Sequence, residues 1–104
     1  MRITGSHLEN LVDWVNAEKG YPREAFKWMP SGNFEGQIGA IICKRSSGSW
    51  HIEQIVTKGG GVRDLRSGTA RECYEFLRGM QEAIQLDHFA ERYGITNQSI
   101  KAEV

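Results

Sequence analysis

The first apolar pattern in the chain has the period of an α-helix. Its apolar residues recur at the i, i+3, i+4, i+7 spacing that places side chains on one face of a helix. They are Leu8, Leu11, Val12 and Val15. Ser6 and Glu9 have the spacing of a capping box, and Gly20 is a residue type that commonly ends a helix. The pattern therefore predicts a helix from about Ser6 to Lys19.

After Gly20 the pattern changes to an alternation of polar and apolar residues, which is typical of strands. Three strands and a short edge strand are predicted, and the short turns between them indicate antiparallel hairpins. They cover 25–29, 34–44, 49–57 and 62–65. One face of this sheet carries large apolar side chains that the helices would cover. They are Phe26, Trp28, Phe34, Ile38, Ala40, Ile42, Trp50, Ile52 and Val56.

A second helix is predicted from about Thr69 to Leu86. Thr69 and Glu72 form another capping box, and an apolar stripe with helical spacing follows. The stripe consists of Cys73, Phe76, Leu77, Met80 and Ile84. The last residues, Asp87–Val104, are predicted to form two short helical pieces divided by Gly94.

The order of these elements predicts an α+β fold, with an antiparallel three- to four-stranded sheet flanked by two main helices. Residues 1–86 form the single α+β domain of this scheme, and residues 87–104 form a short helical C-terminal tail. A length of 104 residues fits one domain with one core.

Composition and charge narrow the functional classes. The chain has 13 basic and 13 acidic residues, so it lacks the surplus of cations that a non-specific nucleic-acid binder uses on phosphates. No apolar run approaches the roughly 20 residues of a membrane helix, and the start lacks the apolar stretch of a signal peptide. Cys43 and Cys73 are too far apart for a CxxC site, which indicates free thiols in a reducing compartment. We expect a cytoplasmic protein without a membrane partner.

Candidate chemistry centres on His51 and Glu53. They are two residues apart on a predicted strand, so they share a face on which they could hold a metal ion or form an acid–base pair. A zinc site needs three or four ligands, however, and neither His7 nor His88 has a supporting spacing. A polar outer sheet face is therefore the favoured interpretation. We expect no catalytic residue, no metal site and no cofactor.

The second sheet face predicts a binding function. It mixes apolar and polar residues, and an apolar centre with a polar surround is typical of a modest protein interface. The predicted binding residues are Met29, Ile41, His51, Glu53 and Ile55. We interpret the chain as a non-catalytic binding protein whose partner is another protein or a second copy of itself. The competing interpretation is that the first helix or the tail covers this face.

The aromatic residues of the other face have an alternative to core packing. Together they could form a base-stacking platform, which would consist of Phe26, Trp28, Phe34 and Trp50.

The tail provides the alternative function, which is DNA binding. The segment His88–Ile100 resembles the helix-turn-helix pattern of bacterial DNA-binding domains. The matching residues are Ala90, Gly94, Ile95 and Ile100. The resemblance implies that Asn97, Gln98 and Lys101 would face DNA. The other interpretation of the segment is a helical tail that packs on the domain.

Two further resemblances concern the element order and roughly the middle two-thirds of the chain, respectively. The α-β-β-β-α order is also that of double-stranded RNA-binding domains, although the second helix begins without the lysine cluster of that family. The segments Ser49–Ile52, Gly59–Gly61 and Thr69–Met80 resemble small proteins encoded by bacteriophages and prophages, mostly of unknown function. This resemblance implies a bacterial or phage cytoplasmic setting and an accessory protein that acts by binding macromolecules.

Overall fold

Two helices bracket five strands in the computed structural model, which describes residues 2–94. The elements are α1 (Gly5–Lys19), β1 (Phe26–Trp28), β2 (Phe34–Gly36), β3 (Ile41–Ser46), β4 (Ser49–Ile55), β5 (Val62–Gly68) and α2 (Ala70–Arg92). Strands β1 and β2 form a two-stranded hairpin, and β3, β4 and β5 form a three-stranded sheet in that order. All strand pairs are antiparallel. The predicted α+β class is confirmed, with the strands divided between two sheets.

Helix α1 starts one residue earlier than predicted and uses a different cap. Thr4 is the N-cap residue, and its backbone N–H donates to Nδ1 of His7 at 2.9 Å. The imidazole therefore takes the part that a Glu side chain plays in the common capping box, and the predicted Ser6–Glu9 box is wrong. The predicted stop is confirmed, because Gly20 adopts a left-handed conformation with φ of 72° at the end of the helix.

Helix α2 has the predicted cap and extends beyond the predicted end. The Glu72 N–H donates to Oγ1 of Thr69, and the Thr69 N–H donates to the Glu72 carboxylate, each at 3.1 Å. These bonds with Thr69 hold the pKa of Glu72 below its usual value. The helix continues through Leu86 to Arg92, so the predicted division between domain and tail falls inside it. No glycine or proline interrupts this stretch before Gly94, and a helix can therefore propagate through it.

The two helices lie on one face of the three-stranded sheet and run in the same direction. The first residues of both, Gly5 and Ala70, line one cavity, whereas Lys19 and Asp87 line another near the opposite ends. The core lies between the helices and the sheet. Its buried members are Leu8, Val12, Val15, Ile41, Ile52, Cys73, Leu77 and Ile84.

The long strand predicted over 34–44 is broken in the structure. It consists of β2 and β3, separated by residues 37–40, in which Gly39 has a φ of 101° that a strand does not allow. The break shifts the alternation, so that Ile41 and Cys43 pack towards the helices in place of Ile42. Five residues of the face predicted to be covered by the helices are exposed. Phe26, Trp28, Phe34, Ile38 and Val56 are 46%, 61%, 57%, 54% and 42% exposed.

A buried asparagine joins α1 to the sheet. Asn16 is only 1% exposed, and its Nδ2 donates to the carbonyl oxygen of Ile41 at 2.9 Å. The backbone N–H of Ile41 donates back to Oδ1 of Asn16, also at 2.9 Å. One side-chain amide thus satisfies both backbone groups at the first residue of β3, a contact that the hydrophobic pattern does not predict.

The Asn16→Ala variant tests this contact. It leaves the N–H and C=O of Ile41 without partners in the interior, and we expect the free energy of unfolding to fall by about 2–5 kcal/mol. The control is Asn10→Ala, at an exposed position of the same helix, which gains the same helix propensity. It should change the free energy of unfolding by less than about 0.5 kcal/mol. Urea unfolding measures both. Equal effects in the two variants would contradict a structural role for the Asn16 amide.

The packing of α2 is tested by truncating Leu77, which is fully buried in the core. Leu77→Ala should lower the free energy of unfolding by about 2–5 kcal/mol, because it removes buried methyl groups and leaves a cavity. Leu86, on the same helix, is 65% exposed, and Leu86→Ala should cost less than about 0.5 kcal/mol. A measured loss below about 1 kcal/mol for Leu77→Ala would contradict this core.

Candidate binding surface

The five residues predicted as a binding face do not form one exposed surface. Ile41, Glu53 and Ile55 are 2%, 5% and 0% exposed, so their predicted exposure is wrong. Met29 and His51 are half-buried. Ile41 faces the helices because the strand breaks at residues 37–40. A binding role for Met29 and His51 stays a prediction.

Ile55 is buried where the hairpin joins the three-stranded sheet. The N–H of Ile55 donates to the carbonyl oxygen of Ala40, and the N–H of Gly39 donates to the carbonyl oxygen of Ile55, each at 2.9 Å. Nearby, the N–H of Gly36 donates to the carbonyl oxygen of Lys58 at 2.7 Å. A Cβ on Gly36 would lie 2.8 Å from the Thr57 carbonyl oxygen, so the two backbones approach more closely than any other residue allows. The hairpin is therefore attached to the loop after β4 by backbone contacts.

The polar side chains of the sheet have separate partners. Nδ1 of His51 lies 2.9 Å from Oγ of Ser67. Oε1 of Glu53 lies 3.2 Å from Nζ of Lys44, although this buried oxygen has no contact with hydrogen-bond geometry. Within residues 2–94 the structure brings together no group of three or more His, Cys, Asp or Glu side chains that could hold a metal ion. The geometry thus gives no support to the alternative of a metal or acid–base pair at His51 and Glu53.

The hairpin carries an exposed aromatic face, formed by Phe26, Trp28 and Phe34. Trp28 and Phe34 are opposite each other in the β1–β2 register, with ring centroids 3.8 Å apart and ring planes inclined by 33°. Between the aromatic positions, Lys27 is opposite Glu35. Alternation along each strand places this charged pair on the other side of the hairpin, so the aromatic and charged side chains are segregated.

Trp50 does not belong to the aromatic face. A Cβ on Gly5 would lie 2.9 Å from Cη2 of Trp50, which shows that the indole packs under the first residue of α1. The platform of four aromatic residues considered from the sequence is therefore divided, with three on the hairpin and Trp50 against the core.

Both cysteines lie on the helix side of the sheet as free thiols. Cys73 is buried, and its Sγ–H donates to the carbonyl oxygen of Trp50 at 3.7 Å. Burial raises the pKa of Cys43 to about 11, and the negative charges of Glu9 and Asp13 act in the same direction. Neither thiol lies in the electropositive environment that activates a nucleophilic cysteine.

The start of the helix-turn-helix-like segment forms the end of α2. Ala90 belongs to the last turns of the helix, and Gly94 has a φ of 69° just after it. Asn97, Gln98 and Lys101 lie outside the described residues, so the DNA-binding alternative stays a prediction.

Comparisons with known proteins do not assign the chain to a family. The chain matches no protein-family model, no curated protein and no solved structure. Over residues 2–94, neither helix has the length and apolar character needed to cross a membrane. The functional argument therefore depends on the geometry of the surface itself.

The state of the cysteines gives a prediction for thiol labelling. The thiolate is the reactive form, and a pKa of about 11 leaves roughly one thiolate per thousand Cys43 side chains at pH 8. We expect a colorimetric disulfide reagent to label the native protein slowly, with a rate that rises towards pH 11, and the urea-unfolded protein rapidly at both cysteines. Rapid labelling of Cys43 in the native protein at pH 8, measured with a Cys73→Ala variant, would contradict this environment.

Proposed function

We propose that the protein is a small non-catalytic binding protein that docks another protein through the aromatic face of its hairpin. The observation that carries the proposal is the pair of stacked rings at Trp28 and Phe34, each more than half exposed. Contiguous exposed apolar area usually has a binding use, and Trp is enriched among the residues that dominate interface energies.

The energetics of the aromatic face favour binding. An aromatic side chain can bury 150–250 Å², so covering the exposed half of each ring removes on the order of 100 Å² from water, worth about 2.5 kcal/mol per ring. The β1–β2 ladder and the mutual stacking already order the two rings. Binding therefore costs little additional side-chain entropy.

The surroundings of the rings define the partner's chemistry. The partner would offer an apolar pocket or a flat apolar patch to Trp28 and Phe34. The charged pair Lys27 and Glu35 lies on the opposite side of the hairpin, away from the rings. A second copy of the chain is one such partner. The proposal places this interaction in the cytoplasm of a bacterium or an infected cell, in keeping with the free thiols and the resemblance to phage and prophage proteins.

The Trp28→Ser/Phe34→Ser variant tests the proposal. Self-association is measured by analytical ultracentrifugation, and binding of bacterial proteins by affinity capture with quantitative mass spectrometry. The matched control is Leu86→Ser/Phe89→Ser, which removes two large apolar side chains that are also more than half exposed. We expect the hairpin variant to lose the self-association or the captured partner of the wild type, and the control to retain it.

Circular dichroism and thermal unfolding accompany the measurement, because the hairpin must remain folded for the comparison to hold. The aromatic face lies outside the core cluster, so we expect the helical signal to be unchanged in the hairpin variant. The proposal is refuted if this variant keeps every interaction of the wild type, or if the control variant loses the same interactions.

A further inference from the structure

A basic cavity of about 410 Å³ lies at the end of the molecule where both helices begin. Its charged lining side chains, among the described residues, are Arg2 and Arg45, which come from the segment before α1 and from β3. Gly5 and Ala70, the first residues of α1 and α2, form part of the wall, and so does Trp50. Two cations from separate parts of the chain thus line one open cavity, and none of its described lining residues carries a carboxylate.

The parallel helices add positive potential to the same space. The first backbone N–H groups of a helix have no carbonyl partner within it, and the N-terminus is the positive end of the helix dipole. The capping interactions use the N–H groups of Thr4 and Thr69 and leave those of Gly5 and Ala70 available. The nearest helix-cap carboxylate, that of Glu72, is already occupied by the Thr69 N–H and by Arg66 at 3.1 Å. Arg66 offsets part of the negative charge that this carboxylate brings to the start of α2.

The remaining wall is apolar. The close approach of Gly5 to Trp50 allows the indole to lie beneath the start of α1 and to line the cavity together with Ile3. The volume falls within the range of small-molecule sites, which combine apolar walls with a few polar groups that orient the ligand. A bare ion would not fill this space.

We infer that the basic cavity binds a small molecule that carries a phosphate group. The phosphate lies between Arg2, Arg45 and the first N–H groups of the two helices, and the organic part lies against Trp50. Arginine recognises phosphate by charge-assisted, bidentate hydrogen bonds, and helix N-termini favour anions at the same position. This inference is independent of the aromatic face on the hairpin.

Titration followed by amide NMR tests the inference on the full chain at constant ionic strength, with chloride as the reference anion. The probes are inorganic phosphate, ribose 5-phosphate, adenosine monophosphate and adenosine. We expect the phosphate-bearing probes to shift the amide signals of Gly5 and Ala70, and one of the two phosphate esters to bind more tightly than inorganic phosphate. If adenosine binds as tightly as its monophosphate, the cavity does not recognise phosphate and the inference is wrong.

Two variants separate the contributing groups. Arg45→Gln should weaken binding of the phosphate esters at least about tenfold, as expected for the loss of a charge-assisted hydrogen bond. Arg78→Gln is the matched control, because Arg78 lies on α2 beside Glu82 and away from the cavity lining. Equal weakening by both variants would indicate general charge attraction and overturn the inference.

Ala70→Pro removes the first N–H of α2 and replaces a methyl group of the cavity lining with a proline ring. Proline is well tolerated at the first helical position, and Thr69 before it has φ of −71° and ψ of 164°, which a following proline permits. We expect the thermal unfolding midpoint to be retained and the affinity for phosphate esters to fall several-fold. Full affinity in this variant, together with full affinity in Arg45→Gln, would show that the cavity is not the site.

Discussion

The fold depends on the pair of hydrogen bonds between the Asn16 side chain and the backbone of Ile41. The apolar face of α1 would be buried almost equally well at several positions along the sheet, because hydrophobic contact has no direction. A buried amide has to find its donors and acceptors, and only one placement of α1 brings Asn16 to the start of β3. This placement then fixes where Leu8 and Val15 enter the core and where the first turn of α1 meets Trp50.

The strand break at residues 37–40 determines which residues of β3 face the helices. With Ile41 held against α1, Cys43 follows it inwards and Lys44 is turned outwards, since side chains alternate along a strand. The core is then completed by Ile52 and α2 without the hairpin aromatics. Phe26, Trp28 and Phe34 remain outside because the hairpin is attached through backbone contacts at Gly36 and Lys58. Their exposure is thus a consequence of the core geometry.

The local features of this fold were predictable from the sequence, and the non-local ones were not. The helix faces follow from a period of 3.6 residues, and the Thr69–Glu72 cap follows from a spacing of three residues. The Thr4–His7 cap has the same spacing, but it was not predicted because His7 stands where the common capping box has Glu or Gln. The strand break depends on the conformation of Gly39, and the Asn16 contact joins residues 25 positions apart. For this reason the predicted binding residues included Ile41 and Ile55, which are buried, and missed Trp28 and Phe34.

The basic cavity and the aromatic face depend on different parts of the fold. The basic cavity is a product of the core, because the parallel packing of α1 and α2 brings two helix starts beside the turn of the β3–β4 hairpin. Like-charged dipole ends repel each other, and an anion between them relieves that repulsion. Ligand binding in the cavity would therefore stabilise the folded domain by mass action. The aromatic face lies on a hairpin joined to the sheet at the Gly36–Lys58 contact, so a partner bound there leaves the helix starts accessible. The two proposed sites lie at opposite ends of β4, so together the proposals predict that a small phosphate ester and a protein partner can bind at the same time.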